Sequence, residues 1–220
     1  MPAVIVQAGG SANTQVFSPD ANSYTPGSAD GDFAWSGQAD VGGLPSATVQ
    51  VQQLEFNNDP FVLNNFLVTN NLGVPQVFTL FVGLPATLAG PNTISGNVRT
   101  SVIDGGTDGA SISSLPGQAI YQAQVDFATV ASLQNDPYIV AAAPNGSATA
   151  SATFGPIVSG TAVTSNIGIQ LRFMLSPGDT ASILSRFDVN PGGTIPEPTT
   201  FVLGSIMAAI AGGFRGRRVS

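Results

Sequence analysis

Histidine, cysteine and lysine are all absent from the chain, and that removes most side-chain chemistry before any fold is considered. Without them no Ser-His-Asp triad, Cys-His pair or common zinc site can be assembled. What remains is oxygen. Thirteen acidic residues are present, and Glu55 and Glu197 are the only glutamates. A glycosidase needs two carboxylates at a set separation; Glu55 with any aspartate would supply one, and no spacing nominates a pair. Asp104 and Asp108, together with Asp30 and Asp32, sit in glycine-bearing loops and offer the hard oxygen ligands that calcium takes. The same residue types favour turns for backbone reasons alone, and their spacing is not that of an EF-hand loop, which closes on a glutamate at its twelfth position. Trp35, and beside it Tyr24, Tyr121 and Tyr138, are the residues with the shape to stack on a sugar ring. Trp35 also alternates with Phe33, a spacing that suits the inward face of a strand.

Composition narrows the partners further. Charged residues make up 9% of the 220, against about 25% in an ordinary domain, so the surface must be built from Asn, Gln, Ser and Thr. The charge is also divided unevenly. Residues 1–198 carry Arg99, Arg172 and Arg186 against all 13 acids, a net charge of −10, whereas the last 22 residues carry three arginines and no acid. A body this acidic repels phosphates and excludes nucleic acid as a partner. The absence of cysteine rules out a disulfide framework and leaves the redox compartment undetermined.

Along the chain the dominant signal has a period of two. Residues 1–31 are rich in Ser, Ala, Asn, Gly and Pro without clear periodicity and are expected to form a loose lead-in with one edge strand. In 48–56 the apolar phase slips from Val49 and Val51 to Leu54 and Phe56, which predicts a β-bulge. Residues 61–69 and 75–84 are apolar, β-branched and aromatic, and the Asn70-Asn71-Leu72-Gly73 turn between them predicts a hairpin. The second arm is apolar on both faces, as a strand at the centre of a sheet would be. A second hairpin is predicted late in the chain. Ile167, Ile169, Leu171, Phe173 and Leu175 share one face, Ser176-Pro177-Gly178-Asp179 is a turn, and Ile183, Phe187 and Val189 line the returning face. No helix-length 3.6-residue period occurs outside the C-terminal tail. Eight to ten short strands with regular turns imply an all-β fold, an antiparallel β-sandwich of immunoglobulin-like or jelly-roll type.

The tail follows different rules. Residues 201–214 carry no charge, Thr199 and Thr200 extend the run upstream, and Arg215, Arg217 and Arg218 close it. As a helix at about 1.5 Å per residue the run covers roughly 21–24 Å, short of the ~20 residues usual for a span. Snorkelling arginines and local thinning of the bilayer make up the deficit. By the positive-inside rule the arginines hold the C-terminus in the cytoplasm and place the body outside. Upstream, Pro196-Glu197-Pro198 can continue neither a helix nor a central strand, and with Gly192 and Gly193 it makes an extended joint.

Pro196-Glu197-Pro198, an apolar segment and a terminal arginine cluster, in that order, resemble the sorting signal of the PEP-CTERM proteins over about the last 26 residues. That resemblance implies an exported bacterial protein, recognised and cut by a membrane-embedded exosortase. It implies transient anchoring in inner-membrane lipid, delivery to the cell surface or extracellular matrix, and association with exopolysaccharide or biofilm. Such proteins begin with a secretory signal, and residues 1–8 read as the end of one, because Val6 and Ala8 suit the small-residue cleavage pattern. The expected organisation is a lead-in over 1–31, a β-sandwich ectodomain over 32–190 and a linker with the sorting motif over 191–198. A single transmembrane helix over 199–214 and a basic cytoplasmic tail over 215–220 complete it. The leading function is a non-enzymatic, exported surface or matrix protein without a cofactor. A carbohydrate- or calcium-binding surface module is the alternative, and a secreted hydrolase the third reading.

Overall fold

Wherever apolar and polar residues alternate in the body, the backbone is extended. The computed structural model describes residues 3–9, 14–17, 25–26, 33–40, 44, 46–57 and 60–192. They form, in chain order, β1 (Ala3–Ala8), β2 (Thr14–Phe17), β3 (Thr25–Pro26), β4 (Phe33–Asp40), β5 (Ala47–Asn57), β6 (Phe61–Asn70), β7 (Gln76–Pro85) and β8 (Asn92–Ile103). These are followed by β9 (Ala110–Ser113), β10 (Ala119–Val125), β11 (Ala128–Asn135), β12 (Ile139–Ala142), β13 (Ser147–Ser159), β14 (Asn166–Leu175) and β15 (Thr180–Pro191). No helix occurs among the described residues, and hence none long and apolar enough to cross a membrane. The run 199–214, its arginines and the Pro196-Glu197-Pro198 joint lie outside the described residues.

The strands pair antiparallel in two sheets. Sheet I runs β11-β10-β14-β7-β1-β2, with β9 beside β14 and β12 beside β9; sheet II runs β13-β8-β15-β6-β5-β4-β3. One apolar core contains residues of both sheets. Phe78 and Phe173 stack in sheet I with ring centroids 5.5 Å apart, and Phe66, Ile183 and Phe187 of sheet II are fully buried. Each such side chain stabilises the fold by about 1.5–3 kcal/mol. Polar bridges also cross between the sheets: the Tyr121 hydroxyl on β10 donates to the Arg186 carbonyl on β15 at 3.0 Å, and Gln134 Nε2 on β11 donates to Thr100 Oγ1 on β8 at 3.0 Å. Burial and the neighbouring Asp188 carboxylate push the Tyr121 phenol well above its ordinary range.

The expected faces are observed. Ile169, Leu171, Phe173 and Phe187 have no exposed surface and Val189 has 1%, while Gln170, Arg172 and Arg186 are half-buried. The slip in β5 is a register shift between Val51 and Gln53 opposite β6, and all four apolar residues on either side of it are buried. β7 is central, between β14 and β1.

Both expected hairpins are corrected. β14 pairs with β7 and β10, and β15 pairs with β6 and β8, so the Ser176–Asp179 turn joins the two sheets instead of two neighbours in one. The same holds for β6 and β7 across residues 71–75. Alternation cannot distinguish these cases, because strands in facing sheets bury the same residues as strands in a hairpin. Four or five residues are enough to cross the ~10 Å between packed sheets. The two crossings are tied to each other. Asn70, fully buried, donates through Nδ2 to the carbonyls of Val74, Leu175 and Ser176 at 2.9, 3.2 and 3.0 Å. Its Oδ1 accepts from Leu72 N at 3.0 Å, and its own backbone N donates to the Asp179 carbonyl at 3.0 Å.

The N-terminal segment also differs from expectation. β1 lies between β7 and β2 with Val4, Val6 and Ala8 fully buried. Residues 3–8, read above as the end of a secretory signal, are therefore a strand of sheet I, and a cut after Ala8 would remove it from the sheet. Val4, Val6 and Ala8 alternate as core residues do; over six residues that pattern is too short to separate from the small-residue pattern of a cleavage site.

Candidate functional site

Of the candidate loop carboxylates, Asp104 is occupied by backbone amides. Asp104 Oδ1 accepts from Gly106 N at 2.9 Å, and its Oδ2 accepts from Asn145 N at 2.6 Å and Gly109 N at 3.4 Å. The Asn145 amide, followed by those of Gly106 and Gly109, holds this carboxyl below its ordinary range. Asp108 is exposed beside it. Among the described residues no three His, Cys, Asp or Glu side chains gather where a metal could sit. Asp104 thus organises the 104–109 loop, as turn chemistry favours. Asp30, Asp32 and Tyr24 lie outside the described residues.

Glu55 is half-buried and accepts from the Gln53 amide. Arg186 spans the space between a bidentate contact to Asp188, at 2.6–2.9 Å, and the Phe61 ring, 4.2 Å from its centroid. Trp35 is 8% exposed and packs edge-on against Phe17 at 5.6 Å, so the core takes it and its stacking role is withdrawn. Tyr121 is fully buried and Tyr138 half-buried.

The structure instead brings together an aromatic pair that the sequence reading did not single out. β10 and β11 are joined by the two-residue turn Asp126-Phe127, with φ of 50° and 64°. Positive φ at both positions is the type I′ geometry that matches strand twist; for a phenylalanine it costs on the order of 1–3 kcal/mol. The turn is held by its aspartate. Asp126 Oδ2 accepts from Thr164 N and Oγ1 at 2.9 and 2.8 Å. Oδ1 accepts from Ser165 N, Ser165 Oγ and Asn166 N at 2.7, 2.8 and 3.0 Å. These donors, the Asn166 and Thr164 amides foremost, hold the Asp126 carboxyl far below its ordinary range. Phe127 is thereby fixed in place and left 69% exposed.

Its ring lies 6.1 Å from that of Phe81 at an interplanar angle of 31°. Phe81 lies on the outer face of sheet I, where glycines make room for it. A Cβ on Gly83 or on Gly168 would come within 2.8 Å of the Phe81 ring. Ladder register extends this face sideways: Ile5 and Gln170 flank Phe81, and Gln122 follows Gln170. Gln124 Nε2 donates to Gln170 Oε1 at 3.4 Å, and Thr129 Oγ1 donates to Gln122 Oε1 at 3.2 Å. Beyond Gln122 lies a shallow pocket of about 360 Å³ whose lining includes Thr129, Ser132, Asn135 and Asp136. The available signal was Asp-Phe between two β segments, which is visible only once 128–135 is recognised as a strand.

No protein-family model matches the chain, and no curated protein matches it in sequence. Among solved structures it is similar to TmCBM61 in complex with β-1,4-galactotriose, at 11% identity and a TM-score of 0.27, over 71% of this chain and 88% of that one. It is also similar to the isomalto-dextranase of Arthrobacter globiformis T6 complexed with panose, at 13% identity and a TM-score of 0.29. That match takes in 80% of this chain and 25% of the other.

Proposed function

We propose that this chain is a non-enzymatic bacterial protein exported to the cell surface or extracellular matrix, with the two-sheet body as its displayed part. The observation that carries the reading is the order of the last 26 residues: Pro196-Glu197-Pro198, then an uncharged run, then Arg215, Arg217 and Arg218. The arginines hold the C-terminus at the cytoplasmic surface of the inner membrane. The prolines keep the joint extended and open to an exosortase-type enzyme, and cutting there frees the body to associate with exopolysaccharide or biofilm. The body is a β-sandwich of two antiparallel sheets, with β6 to β7, β7 to β8 and β14 to β15 passing from one sheet to the other. Asp104 and Asp126 in its loops serve as turn anchors, which supports a structural role for these two carboxylates.

Expression in a host that carries an exosortase tests the reading. Replacing Arg215, Arg217 and Arg218 by neutral residues should weaken retention at the inner membrane, and replacing Pro196-Glu197-Pro198 by alanines should leave the uncut form anchored. Fractionation and protease accessibility of the body report both. A parent protein that stays in the cytoplasm, or variants sorted and cut like the parent, would refute it.

A further inference from the structure

We propose that the outer face of sheet I is a binding platform for a neutral polysaccharide, with Phe127 and Phe81 as the stacking surface and Gln170 and Gln122 as the hydrogen-bonding edge. The inference rests on the reading above of the body as a displayed module and names what that module holds. Register places Val16, Ile5, Phe81, Gln170, Gln122 and Ser132 side by side across six adjacent strands. Five steps of about 4.8 Å make this row about 24 Å long, enough for a short run of sugar units.

The row is divided in chemistry as well as in space. At one end Val16 is 66% exposed and Ile5 36%, the 69% exposed Phe127 reaches from the β10–β11 turn to Phe81 in the middle of the row, and the other end carries amides and a hydroxyl. A pyranose has the same division: its C–H face stacks on the negative face of an aromatic ring, and its hydroxyls need partners that donate and accept, as amides do. Charge selects among polysaccharides. No member of the row is ionisable, and residues 1–198 carry a net charge of −10, so the body repels a uronic-acid or sulfated polymer and leaves a neutral one as the fitting ligand.

Geometry adds a second argument. Phe127 does not earn its conformation through burial, since it keeps positive φ and most of its surface in water. The five hydrogen bonds to Asp126 fix that turn in advance, and a ring held rigid before binding loses little freedom when the ligand arrives. The glycines under Phe81 keep its ring close to the sheet, so that it forms a floor beside Phe127.

Native affinity electrophoresis of the full chain in mild detergent tests the proposal, because it reads binding independently of sorting. Gels would contain hydroxyethylcellulose, dextran or galactan, with alginate as the anionic control. Retardation is expected in at least one neutral gel and not in alginate. Phe127→Ala should weaken it about tenfold, the loss of one stacked ring, with an unchanged far-UV spectrum. Gln170→Ala should weaken it less, and Val158→Ala, an exposed apolar change in sheet II, not at all. Retardation in no neutral gel, retardation only in alginate, or equal retardation of the parent and Phe127→Ala would each overturn the platform. So would a dimer in light scattering that Phe127→Ala dissolves, since that would give the face to a second copy of the chain. Failure of the sorting experiment with binding intact would leave the platform standing and remove only its cellular setting.

Discussion

Asn70→Ala is expected to be among the most damaging single polar substitutions in the body. The side chain has no exposed surface, and through two hydrogens and one oxygen it reaches the Val74, Leu175 and Ser176 carbonyls and the Leu72 amide. Because three acceptors share two hydrogens, the set is equivalent to about three full hydrogen bonds. At ~1 kcal/mol net for each, and more for any partner left unsatisfied away from water, the loss is about 3–5 kcal/mol. That is a large share of the roughly 5–15 kcal/mol of a typical domain. Asn70→Asp should be worse than alanine, since it turns a carboxylate oxygen toward three carbonyls that it cannot satisfy. Equilibrium unfolding of the full chain in urea, followed by tryptophan fluorescence, measures both, with the slope checked to be unchanged so that the midpoints report stability. If Asn70→Ala costs under about 1 kcal/mol, or if Asn70→Asp is as stable as the parent, this residue does not tie the two sheet crossings together.

Phe173→Ala should cost about 3–5 kcal/mol, because it leaves a cavity beside Phe78 in the core, whereas Arg172→Ala, one residue away on the outer face, should cost well under 1 kcal/mol; equal effects in the same unfolding assay would place the core on the wrong face. Gly168→Ala should drive the Phe81 ring off the sheet at about 1–3 kcal/mol of overpacking, seen as a changed near-UV spectrum, and an unaltered spectrum would contradict the close approach. Acid should loosen the 126–127 and 104–109 turns. The Asp126 and Asp104 carboxyls are both held below their ordinary values, so the stability they give is fully present above about pH 4 and lost as pH falls through the lowered values. Thermal unfolding from pH 5 to pH 2 should show this loss, and Asp126→Asn should flatten it; a parent whose stability is constant over that range would refute the assignment.

The sequence alone determined whatever depends on one strand at a time. The alternation in 167–175 and 183–189 identified the buried face of each strand, and the phase slip in 48–56 located the bulge, because a one-residue error would expose every apolar side chain on that strand. The absence of histidine, cysteine and lysine excluded whole classes of catalysis, and the order of proline, apolar and arginine residues in the tail pointed to sorting; both are properties of composition and order. Partnership was decided only by the tertiary structure. β14 and β15 look like the arms of a hairpin, yet each finds its neighbours in a different sheet, through ladders to β7 and β10 and to β6 and β8 that join residues far apart in the chain. Residues 3–8 carry no signal that separates a strand from the end of a leader, and only the gap between β7 and β2 makes them one. The aromatic platform is illegible for the same reason. Phe81 and Phe127 lie 46 positions apart, and they meet because β14 separates β7 from β10 and because Asp126 finds its donors at Thr164, Ser165 and Asn166. A period of two records which way a side chain points; which strand lies beside it depends on contacts whose free energy is available only after the chain has closed on itself.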